Sequence, residues 1–459
     1  MTHEPEHQPA TASREPFLPI PVHPGLPLLG NSLEIARDPL GAFTRLQAQH
    51  NQPGGPRLIQ VSLGGRTQFV TFRPEDAKYI LQENNRNYGR SPAFKILEIF
   101  LGKGLLTNDG DHWRHQRRLA QPAFHRQKLA ILGQIMQQET DAWLGELSCL
   151  DLTKPVNMSE KLMDITMRIV CKTLFGTDAG KELVGISHAM ETAIFLANKR
   201  LMSPLTVPMS WPTPENIRYR KAAKTVDALI YSIIEGRKKT GERRDDLLDM
   251  LLYAEDEDTG ERMSTQQLRD ECVTLFAASH ETTAVSMAWT TYLITRNPAV
   301  MGKLIATVQS AEAGFQPGGY ASQIINESLR VYPPAWATSR FSHADDQIGP
   351  HRIPAQSTVL VLPYLIHRDP AHWPNPELFD PERFAPGRDK ERHGYAHLPF
   401  GGGPRLCIGN MFALMEMQML LTGLVRTFQV TADTDAVITT LASLTLRPDK
   451  PVMVNLKMN

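Results

Sequence analysis

One cysteine near the C-terminal end has neighbours that would prepare a sulfur atom for chemistry. Cys407 follows three glycines and Pro404, and it stands just before a helical pattern at Met411–Thr427. The free N–H groups and the positive dipole end of a helix N-terminus favour thiolate over thiol. Arg405 could pair with an anion near the sulfur, and Phe400 could screen the sulfur from water. A lone thiolate can act as a nucleophile or a metal ligand, whereas a loop cysteine that merely packs is the plain alternative.

A second group of chemically useful residues lies in the middle of a long helical pattern. Glu281 and Thr282 stand between the apolar runs Val273–Ala277 and Ala284–Trp289. If this helix is buried, it places an acid and an alcohol inside the core, where a carboxylate without a partner is costly. The threonine hydroxyl could also donate to the carbonyl of Ala278 and bend the helix. A helix with a solvated polar stripe is the alternative.

Two further pairs of residues have helical spacing. Glu327 and Arg330 are three residues apart and can form an ion pair on one helix face. Trp113 and Arg117 are four residues apart and also face one way. The plain alternatives are a surface ion pair that contributes little and a packed indole beside a solvated arginine.

The elements that must position these residues are mainly helices. A helix at Ser264–Arg296, with Ser264 and Gln267 as a capping box, would span roughly 48 Å. Leu58–Leu63 and Thr67–Thr71 alternate around two glycines and predict a β-hairpin. A further helix is predicted from Pro74 through about Glu83.

The organisation of the chain follows from these elements. Residues 90–106 are apolar but broken by proline and glycine, which predicts an irregular pocket lid. We expect a disordered polar tail at 1–15 and one domain over residues 16–459. Its β-rich part is predicted at about 50–75 and 335–365, with helices elsewhere.

Composition excludes several classes of protein. The 459-residue chain carries 49 basic and 49 acidic side chains, so no net field favours nucleic acid or a membrane surface. Its four cysteines are at least 22 residues apart and include no C-x-x-C pair, which disfavours zinc ribbons and covalent c-type haem. The polar first residues do not resemble a signal peptide, and no apolar run of about 18 residues predicts a membrane anchor. Because sparse cysteines also suit a reducing compartment, we expect a cytoplasmic protein.

Four motifs together resemble one known family. The string Phe400-x-x-Gly403-x-Arg405-x-Cys407-x-Gly409 resembles the haem-binding signature of the cytochrome P-450 family at every fixed position. Residues 278–283 are similar to the family's oxygen-activation motif, with Ser279 where the family usually has glycine. Glu327-x-x-Arg330, followed by Arg383, and Trp113-x-x-x-Arg117 match two more motifs, in the family's order along the chain.

The resemblance implies a fold, a cofactor and residue roles. The fold would be the P-450 fold, mainly α with small β-sheets, in which a long central helix crosses the haem. Haem b would be bound non-covalently, with Cys407 as the iron ligand. The implied roles of the other residues are haem binding by Trp113, Arg117, Arg340, Phe400, Arg405 and Gly409, proton delivery by Glu281 and Thr282, and structural support by Glu327, Arg330 and Arg383.

The resemblance also implies a function. A soluble bacterial-type monooxygenase of this family activates O2 with two externally supplied electrons and hydroxylates or epoxidises a lipophilic molecule, such as a fatty acid, terpenoid or polyketide. We expect a monomer that receives electrons from a ferredoxin or flavodoxin with its NAD(P)H reductase. The helix of Trp113 and Arg117 also carries a run of basic side chains: Arg114, Arg118, Arg126 and Lys128. This run is either a solvated face or, if it flanks the cysteine side of the haem, a surface that steers an acidic electron donor. The candidates for an apolar substrate pocket are Phe94, Ile96, Ile99, Phe195, Ala277, Ala278, Ala335, Trp336 and Leu441.

Two other functions remain open from the sequence. A haem-thiolate enzyme that uses peroxide or isomerises its substrate would need no reductase, but such members often lose the alcohol that Thr282 retains. A non-enzymatic haem sensor would need neither the acid–alcohol pair nor the apolar pocket segments.

Overall fold

The computed structural model describes residues 17–50, 55–176, 181–202, 207–310 and 315–459. The predicted N-terminal tail at 1–15 lies outside the described residues. The described part of the chain is mainly helical with small sheets, which confirms the predicted fold class.

The helices surround a long central one. In chain order they are α1 (Ser32–Arg37), α2 (Pro39–His50), α3 (Pro74–Lys78), α4 (Lys95–Leu101), α5 (Gly110–Ala120), α6 (Arg126–Ser148), α7 (Met158–Phe175), α8 (Lys181–Met202), α9 (Pro214–Thr240), α10 (Leu247–Leu252), α11 (Thr265–Thr295), α12 (Pro298–Ser310), α13 (Tyr320–Val331), α14 (Pro363–Ile366) and α15 (Asn410–Thr427).

The strands are short. They are β1 (Ile59–Leu63), β2 (Arg66–Thr71), β3 (Tyr88–Arg90), β4 (Val156–Asn157), β5 (Thr338–Ser342), β6 (Asp346–Ile348), β7 (His351–Ile353), β8 (Thr358–Val361), β9 (Phe428–Ala432), β10 (Thr440–Ala442), β11 (Leu446–Pro448) and β12 (Met453–Met458).

The largest sheet joins segments that are far apart in sequence. Its order is β1-β2-β8-β5-β3, with β2 and β8 parallel and the other neighbours antiparallel. The predicted hairpin is confirmed: Leu63 pairs with Arg66, and Gly64 and Gly65 form the turn with φ of 59° and 72°. Positive φ at both positions is what a two-residue hairpin turn requires.

The C-terminal region departs from the predicted helical part. It contains β9 to β12, of which β12 pairs with both β9 and β4, while β10 and β11 form a separate hairpin. Strands this short give only a weak pattern in the sequence. The three-stranded sheet also depends on the pairing of β12 with β4, which lies about 300 residues earlier in the chain.

The predicted helix from Pro74 through about Glu83 is present, as α3 followed by a π-helical turn at Tyr79–Glu83. One local prediction was wrong. Residues 90–106 are not an irregular lid, because they contain α4, which buries Leu97, Phe100 and Leu101 in the main core. The flanking proline and glycines suggested a weak helix propensity for this segment. Burial of the apolar face of α4 stabilises the helix enough to offset that.

The long central helix α11 agrees with its prediction. The Ser264 hydroxyl accepts from the N–H of Gln267, and the Gln267 side chain accepts from the N–H of Ser264, which completes the capping box. Most side chains of α11 are buried, because α7, α9, α13 and α15 pack around it. A helix that is buried over most of its surface can carry a polar residue into the centre of the molecule.

Within the described residues, no helix has both the length and the apolar character that crossing a bilayer demands.

Candidate active site

The loop before α15 sets the position of Cys407. Gly401 and Gly403 have φ of 74° and 66°, and a Cβ at Gly403 would overlap the carbonyl oxygen of Leu81. The N–H of Cys407 donates to the carbonyl of Phe400 over 3.0 Å, which closes the loop. Only glycine allows both the backbone angle and the close approach at position 403.

The sulfur of Cys407 is accessible on one side and enclosed on the others. The residue is exposed, yet the surrounding protein desolvates the thiol enough to raise its pKa. The N–H of Gly409 and the charge of Arg117 act in the opposite direction and lower the pKa. From the helix N-terminus the sequence predicted that thiolate is favoured over thiol. In the protein without a cofactor, desolvation has the larger effect and the thiol is favoured.

Buried arginines lie close to this loop. Arg90 of β3 and Arg340 of β5 are paired across the sheet, and Arg340 is only 5% exposed. Desolvation lowers the pKa of Arg340 to about 10, with a further contribution from Arg405. Desolvation, followed by repulsion from Arg340 and Arg405, lowers the pKa of Arg90 well below its ordinary value. Three guanidinium groups therefore share one poorly solvated region.

One carboxylate lies among these arginines. Asp109 accepts from the N–H of Arg90 over 2.6 Å and forms an ion pair with Arg405. Desolvation raises the pKa of Asp109, but the N–H of Arg90 and the charge of Arg405 outweigh it, and the net shift is downward. The Arg405 guanidinium also lies 4.2 Å from the ring centre of Trp113. A single carboxylate does not neutralise the cluster.

Some donors of the arginines have no protein partner. Arg117 donates through Nη1 to the carbonyl of Leu406 over 3.0 Å, but its buried Nε has no partner among the described residues. The buried Nε of Arg90 is also without a partner within the described part of the chain. Unpaired buried cationic donors are costly unless an anion binds there. Haem carries two propionate carboxylates, so the cluster beside an accessible sulfur fits that cofactor.

The face of α11 that carries Thr282 is open. Ala278 is exposed and Thr282 is half-buried, although their helix is otherwise buried. The Thr282 hydroxyl donates to the carbonyl of Ala278 over 2.7 Å, as predicted. Ser279 donates in the same way to the carbonyl of Leu275 over 2.8 Å. Both hydroxyls are thus held against the helix with an oxygen lone pair left free.

Glu281 points to a different part of the molecule. The residue is 5% exposed, and its Oε1 accepts from Arg447 Nη2 over 2.6 Å and from the hydroxyl of Thr445. These partners lie in the β10–β11 hairpin and the residues before β11. The acid and the alcohol are adjacent in sequence, but the acid is held by an ion pair and the alcohol by its own helix.

The predicted structural triad lies in the interior of the protein, with two of its three members completely buried. Glu327 and Arg330 are both 0% exposed and joined by two bonds of 2.7 and 2.8 Å. Arg383 Nε lies 3.4 Å from Glu327 Oε1. Desolvation raises the pKa of Glu327, and Arg330 opposes this shift. The pair is therefore not the exposed surface pair that its spacing alone suggests.

A histidine connects the triad to the cysteine loop. His367 accepts at Nε2 from the N–H of Leu398 over 2.7 Å, and its carbonyl accepts from Arg330 over 2.9 Å. Desolvation lowers the pKa of His367 well below its ordinary value, so the ring is neutral and can accept. The start of the cysteine loop is fixed to the triad through this ring.

The first group of predicted pocket residues is spread over α4, α8 and the turn before α4. Phe94 and Ile96 are partly buried against the main core, and Phe94 lies 4.8 Å beneath the Arg90 guanidinium. Ile99 is 37% exposed and lines a polar cavity. Phe195 is 64% exposed on α8.

The second group lies on α11, before β5 and on β10. Ala277 is partly buried, Ala278 and Ala335 are exposed, and Leu441 is 54% exposed. Trp336 is different: it is buried with the core around β1 and β2, and its indole N–H donates to the carbonyl of Ser443 over 2.8 Å. Its ring packs in the core and supports the β10–β11 hairpin, which does not fit a side chain that faces a ligand.

Three residues near the site were missed in the sequence. Arg90, Asp109 and Arg447 belong to no motif quoted above, and each gains its position through a contact distant in sequence. For Asp109, the sequence signal was its position as N-cap of α5, where its side chain accepts from Gly110. The sequence contained no comparable signal for Arg90 and Arg447. Arg90 is positioned by the pairing of β3 with β5, and Arg447 by the docking of its hairpin on α11.

The basic residues near the cysteine are less available than predicted. Arg114 forms an ion pair with Asp111, and Arg118 with Asp256 and Asp258. Arg126 and Lys128 are exposed at the start of α6.

Comparison with known proteins agrees with the site. The family model described as cytochrome P450 matches residues 20–456. The chain is 34% identical over 410 residues to Cyclooctatin synthase of Streptomyces melanosporofaciens, with 87% of each chain covered. It is 31% identical over 404 residues to Cyclooctat-9-en-7-ol 5-monooxygenase of the same organism, with 86% of each covered.

A solved structure has the same architecture. The crystal structure of the cytochrome P450DA heme domain matches with a TM-score of 0.85 at 25% identity, and the match covers 97% of this chain and 99% of that one. The fold, the enclosed cysteine with its arginines, and a family match over nearly the whole length lead to one conclusion: the chain belongs to the cytochrome P450 family, and it is a monooxygenase that binds haem b non-covalently.

Proposed function

We propose that this monooxygenase hydroxylates or epoxidises a terpenoid-like lipophile, using O2 and two electrons from a ferredoxin or flavodoxin with its NAD(P)H reductase. The observation that carries the proposal is the exposed but poorly hydrated Cys407 beside Arg90 and Arg117, whose buried Nε atoms have no partner within the described part of the chain. Haem held there by Cys407 would supply the oxygen chemistry, since thiolate ligation favours O–O cleavage.

The arginine cluster would hold and orient the cofactor. Arg117 and Arg90 have free buried donors, and Arg340 and Arg405 add charge. Charge-assisted bonds to propionates would satisfy these donors and relieve the mutual repulsion of the cations. Trp113, which lies under the Arg405 guanidinium, would fix the orientation of that group. Phe400 and Gly409 would flank the sulfur.

Thr282 is proposed to move a proton. Its hydroxyl already donates to Ala278, so it can accept a proton from water at its lone pair and pass its own proton on. Glu281 would take part only after its bonds to Arg447 and Thr445 loosen. The exposed Ala278 and half-buried Ala277 leave space beside the hydroxyl for a small reactant.

The proposed substrate class has two supports. One relative is named as a monooxygenase of cyclooctat-9-en-7-ol, an unsaturated alcohol. The exposed or partly buried members of the predicted pocket set are apolar, including Phe94, Ala277, Ala335 and Leu441. Apolar walls with a few polar groups select lipophilic ligands.

Electron delivery is proposed at the surface near α6. Arg126 and Lys128 are exposed there, whereas the nearby Arg114 and Arg118 are already neutralised by aspartates. An acidic electron carrier would be steered by the two exposed cations.

Three further expectations stay predictions. Residues 16–459 would act as one domain, and the protein would be a monomer. A cytoplasmic location is supported by four free cysteines in the structure.

The reduced protein in the presence of carbon monoxide gives the first test. A thiolate-bound haem shifts the Soret band far to the red, and Cys407→Ser should abolish that shift. Cys149→Ser, which removes an exposed cysteine elsewhere, should retain it. A wild-type protein that takes up no haem, or a variant that keeps the shifted band, would contradict the assignment.

Turnover assays separate the remaining functions. A surrogate reductase and ferredoxin with NAD(P)H should support product formation from an unsaturated hydrocarbon or alcohol. Product formation with peroxide alone would instead favour a peroxide-using enzyme. Screening a lipophile library by the spin-state change on binding would identify the substrate, and a hit set made up of polar molecules would contradict the proposed class.

A further inference from the structure

A polar cavity of about 580 Å³ lies between α4, α5, α9 and the start of α11. Charged side chains of both signs are among the residues that line it: Glu98, Lys103, Asp227, Arg269 and Asp270. One buried water needs only about 10–15 Å³ and a few polar partners, so the cavity has room for many waters.

Gln116 of α5 lies at the edge of this cavity with its polar atoms unused. The residue is 0% exposed, and neither its Oε1 nor its Nε2 has a hydrogen-bond partner in the described part of the chain. An amide that loses water without gaining a partner costs about 1–3 kcal/mol per group. Ordered water from the cavity is the partner that the geometry allows.

Two residues of α11 have the same feature. Thr274 is 4% exposed and its hydroxyl has no hydrogen-bond partner among the residues that the structure describes, although Thr282 and Thr290 of the same helix donate to their i−4 carbonyls. Glu271 is 0% exposed; its Oε2 accepts from the N–H of Leu105 over 3.1 Å, while Oε1 has no partner within the described residues. Gln116, Thr274 and Glu271 thus each have a buried polar atom that no described protein group bonds and that a water molecule could bond.

The loop before α5 encloses these side chains. A Cβ at Gly104 would overlap the Thr274 hydroxyl, and a Cβ at Gly102 would overlap the Asp270 carboxylate. The N–H of Lys103 donates to that carboxylate over 2.8 Å. The loop can lie this close only because it has glycine at both positions, and it contributes Gly102 and Lys103 to the cavity wall.

Helix geometry aligns this region with the active site. Glu271 and Thr282 are 11 residues apart, which places them within about 20° of one another around α11 and about 16 Å apart along it. Ala278 lies between them on the same face and is exposed. Thr274 flanks the line, one turn before Ala278.

We propose that Glu271, Thr274 and Gln116 hold ordered waters that carry protons from the polar cavity to the Thr282 hydroxyl, with Glu271 giving up a proton and regaining one in each cycle. The inference rests on the proton role proposed for Thr282. In each cycle the Glu271 carboxyl releases one proton to the water chain toward Thr282 and regains one that enters from bulk solvent and is passed along the cavity waters, so the carboxyl and the waters all return to their starting charge.

The protonation of Glu271 suits this task. Desolvation, with a further contribution from Asp270, raises the pKa of Glu271 to about 8, against the N–H of Leu105. The carboxyl therefore holds a proton near neutral pH and can release it. The charged or titratable groups that face the region lie on every element packed around it: Glu98 of α4, Lys103 of the loop, His112 of α5, Asp227 and Tyr231 of α9, and Arg269 and Asp270 of α11 itself.

The route differs from the one that the motif suggests. Glu281, the acid next to Thr282 in sequence, is held by Arg447 and Thr445. Glu271 has no ion-pair partner in the described residues and keeps one oxygen free for water. Glu271 is thus a positioning and relay group that acts through water and Thr282.

Infrared spectroscopy of the resting protein tests the relay without turnover. Glu271→Gln keeps the shape and an acceptor for the Leu105 N–H but cannot titrate. The difference spectrum between wild type and variant should show a protonated-carboxyl band that disappears as pH rises through about 8 and shifts within the mixing time in D2O. Glu416→Gln is the control, since Glu416 is a buried carboxyl with an unpaired oxygen on α15 and does not line the cavity.

The second measurement uses the loaded enzyme with a surrogate redox pair. Glu271→Gln should lower the product formed per NAD(P)H at least about threefold, divert electrons to peroxide and increase the solvent isotope effect on turnover. Thr274→Val should act in the same direction and Thr274→Ser should restore the wild-type value. Glu416→Gln should leave all three quantities unchanged.

The outcomes distinguish the relay from the function on which it rests. If the wild type turns over but Glu271→Gln matches Glu416→Gln in coupling and isotope effect, the relay is wrong. A carboxyl band that does not exchange in D2O also overturns it. If the wild type gives no product with any redox pair, the proposed function fails, whatever the infrared result.

Discussion

At the scale of single residues, the cofactor region contains more buried cations than the single carboxylate beside them can neutralise. Arg90, Arg340 and Arg405 share Asp109, and desolvation lowers the pKa of each guanidinium. Without a cofactor, desolvation and mutual repulsion therefore make these buried cations energetically unfavourable. A ligand with two negative charges would offset that cost. The motifs indicated Arg340 and Arg405, but Arg90 could not be found from sequence, because its position depends on pairing with β5.

Substitution of Arg90 should weaken cofactor binding. Arg90→Gln removes one charge-assisted partner, for which about 1.5–3 kcal/mol is typical, so haem affinity should fall roughly ten- to hundredfold. The rate and extent of haem transfer to apomyoglobin measure this change. Arg66→Gln, at the exposed β1–β2 turn, is the matched control. Equal haem retention in both variants would contradict a role for Arg90.

Glu271 also predicts a dependence of stability on pH. Its pKa is about 8 when folded and near the ordinary value of about 4.3 when unfolded. Between these values the folded state keeps a proton that the unfolded state has lost, so stability falls as pH rises. The contribution is at most about 1.4 kcal/mol per pH unit.

Urea unfolding of wild type and Glu271→Gln from pH 5 to 8 measures this contribution. As pH rises over this range, the free energy of unfolding of wild type should fall steadily relative to that of Glu271→Gln. A difference that stays constant with pH would show that Glu271 does not titrate in this window.

At the scale of elements, α11 shows what sequence can and cannot predict. Its start followed from a local signal, namely the capping box at Ser264. The bond from Thr282 to Ala278 was predictable for the same reason. The ion pair of Glu281 with Arg447 was not, because it depends on a hairpin from the other end of the chain docking on the helix.

The α4 region gives the opposite lesson. Pro92, Gly102 and Gly104 correctly indicated breaks in regular structure, but the residues between them still form a helix. Propensity alone underestimated the burial of Phe100 and Leu101. The glycines serve the close approach to α11 rather than a loose loop.

Removal of the Thr282 hydroxyl should uncouple the reaction. Thr282→Ala should keep the shifted Soret band of the reduced, carbon-monoxide-bound form, while product per NAD(P)H falls about tenfold or more and peroxide rises. Thr295→Ala is the control, because Thr295 makes the same bond to the i−4 carbonyl at the far end of α11. Unchanged coupling in Thr282→Ala would contradict its proton role.

At the scale of the whole molecule, the Glu327 triad joins regions that are distant in sequence. It connects α13 with the segment around Arg383 and, through His367, with the start of the cysteine loop at Leu398. The motif spacing indicated the ion pair, but not its complete burial or the link through His367. The burial of the ion pair and the link through His367 both depend on how the segments after α14 fold over α13.

Loss of one member of the triad should destabilise the molecule as a whole. Glu327→Gln leaves two buried arginines without a carboxylate, which costs about 3–5 kcal/mol. Glu34→Gln removes an exposed pair with Arg45 and should cost less than about 1 kcal/mol. Urea unfolding of both variants gives the comparison, and similar midpoints would contradict a structural role for the triad.

The contact between Gly403 and the carbonyl of Leu81 has a consequence for any attempt to transplant the cysteine loop. The carbonyl belongs to the π-helical turn at Tyr79–Glu83, whose widened backbone lies against the turn at Gly403–Arg405. A loop moved into another protein without this bulge would meet a backbone of different shape. The two segments form one exchangeable unit, and chimaeras or directed-evolution libraries that recombine them separately should mostly yield chains unable to hold their cofactor.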